Sequence, residues 1–174
     1  VGFYLSSNVM GKKKMRRKKS FLLVAILGII FDQLTKYIVV QNFAEVGSTL
    51  PLWQNVFHFT YVVNTGAAFS FFRGQVDILR WISLVVSFIL VIFVWYSPRM
   101  TLLEQLGYGF ILSGAVGNGI DRFLFGYVVD FLDFRLINFP VFNLADVAIN
   151  IGVILLLVSS FVPPYKAKRE QRTD

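Results

Sequence analysis

The sequence predicts an all-α integral membrane protein, four transmembrane helices with a small extracytoplasmic β-sheet cradle. Three observations lead there. Apolar residues fill 56% of the 174 positions and charged residues only 16%, where a soluble domain has about 25% charged residues. Four stretches, about 21–42, 77–97, 103–125 and 142–161, are each long enough to cross a hydrocarbon core, which takes about 20 residues at a rise of about 1.5 Å. The net charge of +7 is gathered at the ends: seven Lys/Arg and no acid in 1–19, four Lys/Arg and two acids in 163–174, and six basic against eight acidic residues between them.

Taken in order, residues 1–20 read as a basic cytoplasmic tail beside anionic headgroups. The chain starts at Val1 rather than Met, and residues 1–11 are set aside from fold reasoning. The apolar stretch that begins at Phe21 continues past Asp32 to about Phe43 with no small-x-small cleavage site after it, so it reads as a retained anchor rather than a signal peptide. The second span is an almost unbroken apolar run from Trp81 to Tyr96 and ends at Ser97-Pro98. The third is weaker on hydropathy because it contains Glu104, Asn118, Asp121 and Arg122. Its glycines at 107, 109, 114, 117 and 119 suit close packing between membrane helices. Two basic tails on one side demand an even number of spans, and four satisfies that. The membrane domain is then 21–162, the C-terminal tail 163–174 is cytoplasmic, and segments 43–76 and 126–141 face outward. Within the first of these, Val56–Val63 is β-branched and aromatic, the pattern of a small sheet or hairpin at the membrane surface. The second reads as an outward loop.

Composition excludes several chemistries. Cysteine is absent and His58 is the one histidine, which rules out disulfide scaffolds, thiol catalysis, HExxH zinc sites and a Ser-His-Asp triad on any normal layout. The basic residues flank an apolar middle instead of covering a folded face, so a nucleic-acid partner is not expected. Membrane lipid is.

Polar groups inside the spans are the informative part, because each costs about 2.5–3.5 kcal/mol to insert. Asp32 and Lys36 lie four apart on span one and can pair. Asn118, Asp121 and Arg122 share a face of span three; Asn143, Asp146 and Asn150 share one of span four. Counting along the spans puts Lys36 and Asn118 each about 22 Å from the inner end, and Asp146 about 6 Å below the outer one. Asp130 falls at the outer rim. All meet in the outer third of the bilayer. Asp32–Lys36 and Asp121–Arg122 read as ion pairs that hold helices together, and Asn118 and Asn143 as interhelical donors that shape a site. Asp130 and Asp146 have no obvious basic partner. Two facing carboxyl groups in a dry place push one to keep its proton while the other ionises, as general acid/base activation of water requires. Asp133 competes as a partner for Asp130 but reads more simply as solvated.

These motifs, in their order, resemble those of bacterial lipoprotein signal peptidase, also called signal peptidase II. The residues that match are Asp32-Gln33-Leu34-Thr35-Lys36, Asn64-Thr65-Gly66-Ala67-Ala68-Phe69, Gly114 through Arg122, Val128-Val129-Asp130-Phe131 and Phe139 through Asp146. The resemblance implies an intramembrane aspartyl endopeptidase of the bacterial inner membrane. It would remove the signal peptide from diacylglyceryl-modified prolipoproteins, cutting before the lipidated cysteine. By motif, Asp130 and Asp146 would be catalytic; Asn64, Gly66, Asn118, Arg122 and Asn143 would bind or orient substrate; Asp32, Lys36 and Asp121 would support the site. No metal and no cofactor are implied, and a monomer is the simpler default. The rivals are a transporter or ion-conducting protein, which would spread polar groups through the full depth, and a non-catalytic assembly factor using Asp/Asn as helix glue.

Overall fold

A computed structural model of the chain describes residues 18–66, 74–137 and 139–162. Most of the expected N-terminal tail (1–17), the C-terminal tail (163–174), the end of the second motif (Ala67, Ala68, Phe69) and the rest of 67–73 within the outward segment 43–76 lie outside the described residues. Four long helices are present: α1 (Lys19–Asn42), α2 (Val76–Tyr96), α3 (Leu102–Leu124) and α4 (Leu144–Phe161). Helices α1, α2 and α4 are each long and apolar enough to cross a membrane. Most of their apolar side chains face outward: Trp81, Phe88, Ile154 and Leu157 are each more than half exposed, as a surface made for lipid should be.

Helix α3 is the hub. It packs on α1, α2 and α4, and its lower hydropathy follows from that position, since its polar and glycine residues face other helices and not lipid. Gly107, Gly109, Gly114, Gly117 and Gly119 are all buried. At Gly114 and Gly117 an added side chain would meet the closest obstruction of the five. A Cβ on Gly114 would run into the backbone carbonyl of Ala145, and one on Gly117 into the carboxylate of Asp32. Helix α3 opens with a capping box in which Thr101 and Glu104 satisfy each other's backbone N–H, which explains an acid at the start of an otherwise apolar segment.

Outside the helices lies a three-stranded antiparallel sheet ordered β1 (Thr49–Trp53), β2 (Phe57–Asn64), β3 (Val128–Phe134). The hairpin turn places Asn55 at φ 62, a left-handed geometry that asparagine tolerates. Strand β3 corrects the reading of 126–141 as a plain loop: it pairs with β2 from Phe57↔Phe134 to Asn64↔Val128, with a bulge between Phe59 and Val62. The sheet docks on α1 through Val39, Tyr61, Val129 and Phe131. A 3-10 turn (Arg135–Ile137) follows, and Phe142 bridges back to Leu132. Helix α4 therefore starts at Leu144, two residues later than expected, with Asn143 as its N-cap.

The contact at Gly114 yields a prediction. Gly114→Ala forces α3 away from α4 and lowers the thermal midpoint in detergent by about 5 °C, an overpacking cost of about 1–3 kcal/mol. Gly119→Ala, whose added Cβ meets only the Ser83 Cβ at 3.3 Å, lowers it by less.

Candidate active site

The base of the site is a buried ion cluster. Lys36 Nζ lies 2.9 Å from Asp32 Oδ2 and 3.0 Å from Asp121 Oδ2. The second oxygen of each carboxylate also has a donor. Asp32 Oδ1 accepts from Ala145 N at 2.9 Å. Asp121 Oδ2 accepts from Val129 N at 3.1 Å. Gln33 Nε2 donates to Asp121 Oδ1 at 2.9 Å, to Asp32 Oδ2 at 3.2 Å and to the Gly117 carbonyl at 3.2 Å. One cluster thus ties α1 to α3, to the start of α4 and to β3. Asp121 does not pair with Arg122, correcting the sequence reading, because adjacent helical residues do not face each other.

Above this base stand two amides. Lys36 Nζ donates to Asn118 Oδ1 at 3.0 Å. An ammonium offers only donors, so the Asn118 oxygen must face it, and the amide nitrogen then points at Asp146, donating to Oδ1 at 2.9 Å. The α4 N-cap fixes Asn143 in the same way. Its Oδ1 accepts from Asp146 N at 3.0 Å, while Asp146 Oδ2 accepts from Asn143 N at 3.2 Å. The Asn143 nitrogen is left to donate to Asp130 Oδ1 at 2.6 Å and Asn118 Oδ1 at 3.0 Å. Strand β2 supplies a third amide: Asn64 Nδ2 donates to Asp130 Oδ2 at 2.8 Å, and its Oδ1 accepts from Gly66 N at 2.9 Å. Among the described residues no buried side-chain N or O lacks a partner.

Asp130 and Asp146 line one cleft of about 930 Å³ together with Asn64, Gly66, Asn118 and Arg122. Neither forms an ion pair among the described residues. Asp130 is 2% exposed, and burial, reinforced by the charge of Asp146, pushes its carboxyl from the usual 3.8 up to about 7, against the pull of the Asn64 and Asn143 donors. The opposite cleft wall is apolar: Phe139 and Val141 from the segment after β3, Ile151 and Ile154 from α4. Arg122 closes one side, donating from Nη2 to the Gly66 carbonyl at 3.2 Å and from Nη1 to Ser83 Oγ at 3.3 Å and the Asn118 carbonyl at 3.5 Å.

Of the residues singled out from the sequence, Asn64, Gly66, Asn118, Arg122, Asp130 and Asp146 border the cleft, Asn143 bonds Asp130 from beneath, and Asp32, Lys36 and Asp121 form the base. Asn150 also lines the cleft, but its amide donates to the Asp146 carbonyl. Asp133 is not solvated, a second correction: it is buried, Thr60 Oγ1 donates to it at 2.6 Å and Arg135 Nε at 2.9 Å. Burial pushes its carboxyl up, but those donors hold it below the ordinary value. His58 is spent in the hairpin, where Nε2 accepts from Asn55 N at 3.2 Å. Gln33 and Ser83 were not singled out. Gln33 sits inside a quoted motif between two obvious ions, and Ser83 reads as a minor interruption of an apolar helix.

A helical membrane protein with two acids lining one cleft, neither ion-paired among the described residues, is the class that this fold and site define. Residues 24–162 match the family described as Signal peptidase (SPase) II. Among similar proteins, the lipoprotein signal peptidase of Gloeothece citriformis is 64% identical over 155 residues, covering 89% of this chain and 97% of that protein. That of Microcystis aeruginosa is 63% identical over 153 residues, covering 88% and 97%. A solved bacterial membrane enzyme, determined in meso at 2.3 Å, superposes with a TM-score of 0.75 at 34% identity over 80% of this chain and 86% of that one. The chain belongs to the signal peptidase II family, proteases that cleave signal peptides from lipoproteins. A transporter or a non-catalytic assembly factor is not favoured.

The ion cluster gives a second prediction. Lys36→Met strands two buried carboxylates and destabilises the fold by about 3–5 kcal/mol, read as a drop of about 10 °C or more in thermal midpoint. An unchanged midpoint would show that the cluster is not what joins α1, α3 and α4.

Proposed function

We propose that Asp130 and Asp146 are the catalytic pair of an intramembrane aspartyl endopeptidase acting on diacylglyceryl-modified prolipoproteins. The single observation behind this is the shared cleft, in which two carboxyl groups, without an ion pair among the described residues, are each fixed by amide donors. Below pH about 7 the pair holds one proton, favoured on Asp130 by its burial and by the charge of Asp146. The ionised partner takes a proton from water. The water attacks the carbonyl before the lipidated cysteine. The protonated partner polarises that carbonyl and then gives its proton to the leaving amine. Asn64, Gly66, Asn118, Arg122 and Asn143 orient substrate or the pair; Asp32, Lys36 and Asp121 keep the helix ends in register. No metal or cofactor enters the reaction.

We infer the membrane placement from the apolar helices together with the charge pattern of the sequence. Helix α3, 23 residues long, is the fourth span, polar because it is enclosed by the other three. Both termini are then cytoplasmic, with basic tails at 1–20 and 163–174 flanking a membrane domain at 21–162. The sheet, from segments 43–76 and 126–141, lies on the extracytoplasmic side, and the cleft opens at the outer leaflet of the inner membrane. Ile151 and Ile154 are 39% and 58% exposed on the α4 side of the cleft, which supports entry of an acylated substrate sideways from lipid. A single chain completes the cleft, consistent with a monomer.

In a gel-shift assay with purified protein, Asp130→Asn and Asp146→Asn each reduce cleavage of a diacylated prolipoprotein by at least about a thousandfold while the protein stays folded. The unlipidated twin is cut far more slowly by the parent protein. Retained cleavage by Asp146→Asn would refute the pair, and equal cleavage of both substrates would refute the substrate class. The pH dependence has a fixed sign. Above pH about 7 Asp130 ionises, the pair loses its shared proton, and kcat/KM falls about tenfold per pH unit. Because the folded carboxyl ionises later than an unfolded one, stability contributed by protonated Asp130 also drains away as pH rises from about 4 to about 7.

A further inference from the structure

Helix α2 supplies none of the acids or amides that line the cleft or its base, yet it bears a polar edge. Asp77, Arg80 and Ser83 are spaced three apart on it and so lie along one side. That side meets the last turns of α3. Arg80 Nη1 pairs with Asp77 Oδ1 at 3.1 Å, and Arg80 Nε donates to the Arg122 carbonyl at 3.1 Å. The Arg80 guanidinium also lies 5.3 Å from the centroid of the Phe123 ring. Arg122 is among the last four residues of α3, whose carbonyls have no partner inside the helix, so Arg80 caps the very residue that closes the cleft. Ser83 acts on the other end of that residue, its Oγ accepting from Arg122 Nη1 at 3.3 Å. Gly119 lets it come close: a Cβ there would stand 3.3 Å from the Ser83 Cβ.

We propose that Ser83 and Arg80 are positioning residues for Arg122, holding its backbone and its guanidinium from the α2 side so that the fork is set for substrate before substrate arrives. The inference rests on Arg122 orienting substrate, as proposed above. An arginine side chain has about 2 kcal/mol of rotamer freedom to lose. Here the fork is stretched between Ser83 on α2 and the Gly66 carbonyl beside the cleft, so part of that freedom is already gone. The guanidinium bonds reported above go to Ser83, Gly66 and Asn118; Asp146 and Asp130 feel its charge through space but are not bonded to it. Loss of its α2 anchor should therefore weaken substrate binding and leave the proton-transfer step nearly untouched.

The test uses the full-length protein in detergent with a diacylated prolipoprotein, and compares Ser83→Ala, Ser83→Thr, Arg80→Ala, Arg122→Gln and the double variant Ser83→Ala/Arg122→Gln. Ser83→Ala raises KM about three- to tenfold with kcat within about twofold, the size expected for one hydrogen bond to a charged group that keeps other partners. Ser83→Thr, which retains the hydroxyl, recovers most of the loss. Arg80→Ala shifts KM in the same direction. Arg122→Gln raises KM further, and adding Ser83→Ala to it changes nothing more, because the group being positioned is gone. Unchanged KM in Ser83→Ala beside a raised KM in Arg122→Gln overturns the positioning role and leaves the role of Arg122 standing. A fall in kcat and thermal midpoint with KM constant and no rescue by threonine also overturns it, since that is a packing defect. Unchanged KM in Arg122→Gln removes the orienting role of Arg122 and this inference with it.

Discussion

The contact of Lys36 with two carboxylates and one amide oxygen is the interaction on which the site depends. One ammonium, donating to Asp32, Asp121 and Asn118, joins α1 to α3 and settles which way the Asn118 amide faces. Asn118 then addresses Asp146, and the α4 N-cap addresses Asp130 through Asn143. In a low-dielectric interior such a network is favourable only when every member is satisfied, and among the described residues none is left over. Asp32 and Asp121 each contact the Lys36 ammonium, whereas Asp130 and Asp146 accept from amide N–H groups and line the cleft.

The two pairs of acids accordingly sit in different surroundings. Asp32 sits at the positive end of α4, where the Ala145 N–H and the helix dipole favour a carboxylate. Asp130, on a strand instead, accepts from neutral amides and feels the charge of Asp146, with a weaker opposing pull from Lys36. Neutral donors fix its position without supplying the charge that would strip its proton. The glycines of α3 matter for the same reason: at Gly117 the missing side chain is the space that the Asp32 carboxylate occupies.

Much of this was legible in the sequence, and the failures have physical causes. The spans at α1, α2 and α4 announce themselves by apolar runs of membrane length. The boundary of the last was off by two residues because Asn143 and Asp146 form a capping box, and a cap reads as an extra polar turn of helix. Strand β3 was hidden because Asp130 and Asp133, three apart, fall on opposite faces, which spoils the alternation by which a half-buried strand is read. The Asp121–Arg122 pairing looked natural in one dimension, but the cation that Asp121 uses comes from another helix. Asp133 looked solvated because its partners Thr60 and Arg135 are supplied by a bulged strand and a 3-10 turn. The acids that meet in the cleft could be singled out because ionisable groups inside a membrane domain are so costly that few are present without a use.

Infrared difference spectroscopy with isotope-labelled aspartate, titrated from pH 5 to 9 in detergent, tests the shared proton most directly. One protonated carboxyl C=O band should disappear with a midpoint near pH 7 and be missing from Asp130→Asn protein. A spectrum with no such band at pH 6, or a band untouched by the Asp130→Asn change, would contradict a singly protonated pair at this site.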